Sequence, residues 1–184
     1  MNITIINGSN TDAKWLDHEN ALLSFAKKLE TNHQVTLVTI KDLKLNYCTG
    51  CWDCWVKTPG VCMHKDDGPG YLKTIVKADM LLYASPIVSG FMSSETKKAL
   101  DRFIPSVLPL IRPYEGEYHH LKRYDSANTF GVLLFEDMDT DPEAAQIIFE
   151  NFNRIRKNMR ADHFISQLVR PDNMEVLAHE ISRY

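Results

Sequence analysis

Short, nearly continuous apolar runs recur along the chain, separated by segments whose apolar residues fall at spacings of three and four. "NITIIN" (Asn2 to Asn7) is a β-branched run broken by Gly8, and it predicts a buried strand. Lys14 to Thr31 sets Leu22, Ala26 and Leu29 on one stripe, which predicts a helix. "QVTLVTI" (Gln34 to Ile40) predicts a second strand, Tyr71 to Lys77 a short helix and "DMLLYAS" (Asp79 to Ser85) a third strand. Ser94 to Ile104 reads as a helix stopped by Pro105 and Pro109. "NTFGVLLF" (Asn128 to Phe135) is the fourth strand and "HFISQLV" (His163 to Val169) the fifth, with a short C-terminal helix after it. Between them lies the best-signalled helix, with Asp141 as cap, Pro142 at its first position and Glu143 complementing the dipole. Ala145, Ile148, Phe152, Ile155 and Met159 then form its apolar face.

Five apolar strands alternating with helices specify a parallel sheet covered on both faces. The expected architecture is α/β: a flavodoxin-like, three-layer doubly wound sheet of five parallel strands in order 2-1-3-4-5, built as a single domain over residues 1–184. Such sheets bind ligands beyond the carboxyl ends of their strands, at the switch point between strands 1 and 3.

Composition narrows the function classes. Apolar residues make up 44% of the chain and charged residues 24%, ordinary values for a globular domain. A net charge of -3 gives no electrostatic reason to expect nucleic acid or an anionic membrane as partner. Neither a signal peptide nor a run near the roughly 20 apolar residues of a membrane span is visible, so the expected localisation is cytoplasmic.

Three loops follow strands at the expected ligand edge. In "NGSNTDAK", Gly8 permits a tight turn, and Ser9, Asn10 and Thr11 bring donors to a helix N-terminus, an arrangement that suits a phosphate. In "SPIVSGFMSSETKKALDRF", Pro86 and Gly90 shape the backbone, while Ile87 and Val88 offer apolar contact for a flat ring. The third loop holds all four cysteines, Cys48, Cys51, Cys54 and Cys62, in the spacing C-x2-C-x2-C-x7-C. In a reducing compartment clustered cysteines point to metal or redox chemistry rather than disulfides. A tight run with a more distant fourth Cys suits a cubane cluster, whereas structural zinc prefers two separated pairs. Reduced structural thiols, redox-active thiols and a cluster all stay open.

The strand followed by "NGS", the segment "CTGCWDCWVKTPGVC...KDD" and "SPIVSGFMSSETKKALDRF" together resemble the NAD(P)H-dependent FMN reductases, especially the branch that includes the iron-sulfur flavoproteins. The resemblance implies an FMN-dependent oxidoreductase taking electrons from NAD(P)H to a small-molecule or protein acceptor. It places the FMN phosphate at Gly8 and Ser9, with Asn10 and Thr11 beside them. The flavin ring would lie along Pro86, Ile87, Val88, Ser89 and Gly90, with Glu136 and Asp137 of the loop after strand 4 near its other side. It names no catalytic side chain, since the cofactor carries the hydride chemistry. It also implies a homodimer, and in its second branch a [4Fe-4S] cluster on the four cysteines and a role as electron carrier.

The first loop departs from that pattern. Lys14 is its available cation, and Asp12 and Asp17 oppose a phosphate. A flavin-free binding or regulatory module is therefore the reading from another class. Three further features read as structural: His119-His120 as solvated or hydrogen-bonded, the basic Asn153 to Arg160 as the solvated end of a helix, and Asp66-Asp67 as a cap or turn.

Overall fold

The computed structural model describes residues 1–125 and 127–184. Its main sheet is parallel, in the order β2 (Gln34–Thr39), β1 (Asn2–Asn7), β3 (Met80–Val88), β7 (Thr129–Phe135) and β8 (His163–Val169). That is the predicted order 2-1-3-4-5. Successive side chains of a strand point to opposite faces, and here both faces are apolar. Ile3, Ile5, Leu82, Ala84, Leu133 and Phe135 face α1 (Leu16–Leu29) and α6 (Met174–Ile181). Ile6, Leu81, Tyr83, Phe130, Val132 and Leu134 face α3 (Gly68–Val76), α4 (Ser94–Asp101) and α5 (Pro142–Met159). The crossover helices thus change face between β1 and β3, which puts the switch point there. Among the described residues no helix is long and apolar enough to cross a membrane.

The predicted helix over 14–31 is a 3-10 turn at Ala13–Trp15 followed by α1, and the strand to Ile40 ends at Thr39. The helix expected from Tyr71 begins earlier: Gly68, Pro69 and Gly70 are the first turn of α3, where the missing N–H of proline costs nothing. β3 runs to Val88, through residues expected as a loop, because Pro86 still pairs with Phe135. It then folds back through Ser89 and Gly90 into β4 (Phe91–Met92). Both turn residues have positive φ, 50° and 75°, as a two-residue hairpin turn requires. α4 stops at Asp101 rather than 104.

The largest difference lies after α4. Residues to which the sequence pattern assigned no element form an antiparallel hairpin, β5 (Val107–Tyr114) and β6 (Glu117–Lys122). It packs on α5 through charges, which corrects the reading of Asn153 to Arg160 as a solvated end. The Arg156 side chain is only 9% exposed and clasps Glu115, while Arg154 and Lys157 both reach Glu117. His119 is buried, with its ring nitrogens against Glu117 (2.9 Å) and Asn158 (3.3 Å). α2 (Asp53–Val56) is a single turn inside the cysteine loop.

Candidate functional site at the switch point

At the carboxyl end of β1 the chain cannot carry a side chain at residue 8. A Cβ there would lie 1.9 Å from Thr96 Oγ1, so glycine lets the turn press against the start of α4. Ser93 locks the two together: its hydroxyl donates to Gly8 O and accepts the Thr96 N–H that caps α4. Gly8 N donates to Ala84 O at 2.8 Å, extending the sheet by one rung. Ser9 N donates to the side chain of Asn7 at 3.0 Å. The Ser9 hydroxyl is buried without a hydrogen-bond partner in the chain, which leaves it free to meet a ligand oxygen. Among the described residues the backbone N–H groups of Asn10 and Thr11 also take no acceptor from the chain. These are donors of the kind a phosphate takes.

Charge around this turn is already partly matched. Lys14 pairs with Asp137 of the loop after β7, and Lys41 pairs with Glu19 at 2.7 Å while also reaching Asn10 O at 3.4 Å. The hydrogen bond to Lys14 holds the Asp137 carboxyl below the usual carboxylate range, and the same bond raises the Lys14 ammonium. The loop after β7 is otherwise tied down. His18 Nε2 donates to Glu136 O at 2.9 Å, its ring stacks on Phe135 at 5.1 Å, and the Glu136 carboxylate faces Arg170 at 3.3 Å. Of the two acids expected beside the ring, Asp137 therefore reaches the phosphate turn through Lys14, and Glu136 turns toward Arg170.

The residues expected along the flavin ring divide by burial. Pro86 is buried and Ile87 half-buried within β3, whereas Val88 and Phe91 flank the Ser89-Gly90 turn and are 38% and 37% exposed. The open apolar surface at this edge is thus the hairpin tip. Phe91 went unnoticed in the sequence because it lies beyond the strand and has no periodic partner.

The four cysteines converge. All of them line one cavity of about 60 Å³, together with Trp52, Trp55 and Arg102. Cys54 is buried, and burial first, then the neighbouring Cys62, Cys48 and Cys51, push its thiol up. Among the described residues no group of three or more His, Cys, Asp or Glu side chains is arranged to hold a metal ion. Trp55 is anchored, its indole N–H donating to Val107 O at 2.9 Å. The ends of the loop are clasped by an ion pair that the sequence did not reveal. Asp66 accepts from Asn46 N, from Gly68 N and from both terminal nitrogens of Arg102, at 2.6 to 2.9 Å. The two side chains are 1% and 2% exposed. Arg102 follows an α4 whose buried positions are regular, and an arginine just past such a helix was the available signal.

Known proteins share this frame. The chain matches an iron-sulfur flavoprotein of Archaeoglobus fulgidus at 34% identity over 80 residues, 43% of this chain and 36% of that protein. It matches another from Methanocaldococcus jannaschii at 33% over 76 residues, 41% and 38% of the two chains. The chain therefore spans well under half the length of these curated relatives. Among solved structures, the NAD(P)H:quinone oxidoreductase from Methanothermobacter marburgensis superposes with a TM-score of 0.66 at 15% identity, covering 100% of this chain and 96% of that one. The azoreductase from Bacillus anthracis gives 0.58 at 12% identity, covering 100% and 95%. At such identities the likeness is one of fold, the flavodoxin-like sheet already described. The profile of NADPH-dependent FMN reductases matches residues 1–116, which hold β1, the phosphate-type turn, the cysteine loop and the β3–β4 hairpin, and the chain belongs to that family.

Proposed function

We propose that this chain is an FMN-dependent oxidoreductase that takes electrons from NAD(P)H and passes them to a small-molecule or protein acceptor. One observation carries the reading: the buried, unpartnered Ser9 hydroxyl beside the free N–H groups of Asn10 and Thr11, at the carboxyl edge of β1. These donors would hold the FMN phosphate, with Lys14 and Lys41 supplying positive charge. Val88 and Phe91 would flank the ring and keep water from one side of it. When bound, the flavin supplies the site that accepts hydride, so the chain's own task is to bind, orient and shield. The unit that does this is residues 1–184 acting as one domain, paired as a homodimer through the cysteine loop, where Trp52 is 63% exposed. The fluorescence of FMN and of riboflavin, titrated with protein, tests the reading. Quenching of FMN that is stronger than that of riboflavin, and reduced by Ser9→Ala, supports it. FMN left unquenched would favour a flavin-free binding module.

A second reading adds a [4Fe-4S] cluster and makes the protein an electron carrier. Its support is that all four thiols line one cavity. They are the right donors for a cubane, three of them in a tight run and the fourth reaching the same cavity from Cys62. Iron and acid-labile sulfide measured on protein purified without oxygen decide it, since a cubane requires about four of each per chain.

A further inference from the structure

α3 and its C-cap carry two rows of residues at i,i+4 spacing, one packed at the edge of the core and one outside it. Leu72 and Val76 are half-buried, and Lys73 and Lys77 beside them are exposed. Gly60, Val61 and Cys62 from the far end of the cysteine loop line the same cleft, as do Pro105 and Tyr124. The cleft is open to solvent and has a volume of about 330 Å³, at the small end of the range for ligand sites. Its walls are mainly apolar, and its charge comes from the rim. Among the described residues neither Lys73 nor Lys77 has a carboxylate within ion-pair distance, unlike Lys14, Lys41, Lys97 and Lys98. Arg102 lines the floor with Asp66 balancing its charge, and its buried Nε–H has no acceptor. Two unpaired cations over an apolar slot leave a net positive mouth.

We propose that this cavity binds a small planar aromatic anion, an arene carboxylate of one or two rings. The ring lies between Leu72 and Val76 on one side and Val61 and Pro105 on the other, and the carboxylate meets Lys73 and Lys77. The site is separate from the phosphate-type turn and does not depend on flavin. It borders the cysteine cavity, sharing Cys62, Arg102 and Pro105 with it. An occupant therefore covers Cys62 and leaves the exposed Cys51 open.

The probes are 2-naphthoate and its neutral isostere 2-naphthamide, titrated calorimetrically into the full chain. Naphthoate is expected to bind one per chain, about five- to tenfold more tightly than the amide, the gain two exposed lysines supply. Lys73→Gln with Lys77→Gln, changes on an exposed helix face that leave the fold intact, should bring naphthoate down to the level of the amide. Val61→Trp, which fills the slot from an exposed position, should weaken both. Naphthoate should also slow alkylation of Cys62 by iodoacetamide while that of Cys51 keeps its rate. Equal affinity for acid and amide, binding indifferent to the lysine changes, no binding at millimolar probe, or unprotected Cys62 would each overturn the proposal.

Discussion

Asp66→Asn is the substitution whose consequence the structure defines most sharply. The carboxylate joins both ends of the cysteine loop to α4, and it and Arg102 are almost fully buried. Asparagine keeps the size and some of the backbone hydrogen bonds but removes the charge, leaving a buried guanidinium uncompensated. Removing one partner of a buried pair costs about 3–5 kcal/mol. At about 2–4 °C per kcal/mol for a chain of this size, the midpoint of thermal unfolding should fall by about 6–20 °C near neutral pH. The effect also has a pH signature. The hydrogen bond to Arg102, outweighing burial, holds the Asp66 carboxyl well below the usual range in the folded protein. A depressed folded value means that the stabilisation is complete above the unfolded value of about 3.9 and is lost as the pH falls further. The gap between wild type and Asp66→Asn, followed by circular dichroism melts, should therefore stay constant from neutral pH down to about 5 and narrow below about 4. Pairing the change with Arg102→Met should cost less than the two singles together, since both charges then leave. A loss at neutral pH under about 2 °C, the equivalent of no more than about 1 kcal/mol, would refute the reasoning. So would a gap that ignores pH.

Other expectations follow from particular contacts. Gly8→Ala puts a methyl group against Thr96 and should cost about 1–3 kcal/mol in chemical denaturation, as overpacking does; unchanged stability would show that the turn and α4 are not in contact. Lys14→Gln should weaken FMN binding with little effect on riboflavin, and Asp137→Asn, which frees the lysine for a phosphate, should tighten it. Flavin fluorescence reads both, and opposite signs would be evidence that the pair lies outside the phosphate site. Glu115→Gln should speed amide exchange across β5 and β6 while β1 and β3 stay protected, because Arg156 then loses its partner on the hairpin. Arg156 holds the Glu115 carboxyl below its usual value, so in wild type the same loosening should set in on acidification.

The central strands β1, β3 and β7 were readable because each is buried on both faces and so appears as a nearly unbroken apolar run. The start of α5 was readable because Asp141, Pro142 and Glu143 act locally; Asp141 does cap, accepting from Glu143 N. The β5–β6 hairpin was not. Pro109 and Pro113 argue against a strand, yet in a two-stranded sheet every strand is an edge and tolerates them. Its Glu115-Gly116 turn, with φ of 46° and 79°, is also a weak signal beside Asn-Gly. The cations of α5 looked solvated because nothing local reports a partner 41 residues away. The same holds at the site. Which loops meet at the carboxyl edge follows from strand order, and so was legible. Arg102 with Asp66, 36 residues apart, and Lys14 with Asp137 are products of tertiary packing.

The most direct test of the central claim is anaerobic addition of NADPH, and separately of NADH, to protein reconstituted with FMN and freed of excess flavin, following the visible flavin absorbance. The account predicts that the protein retains the flavin and that at least one of the two nucleotides bleaches its absorbance. Protein that emerges colourless, or a retained flavin that both nucleotides leave oxidised, would contradict it.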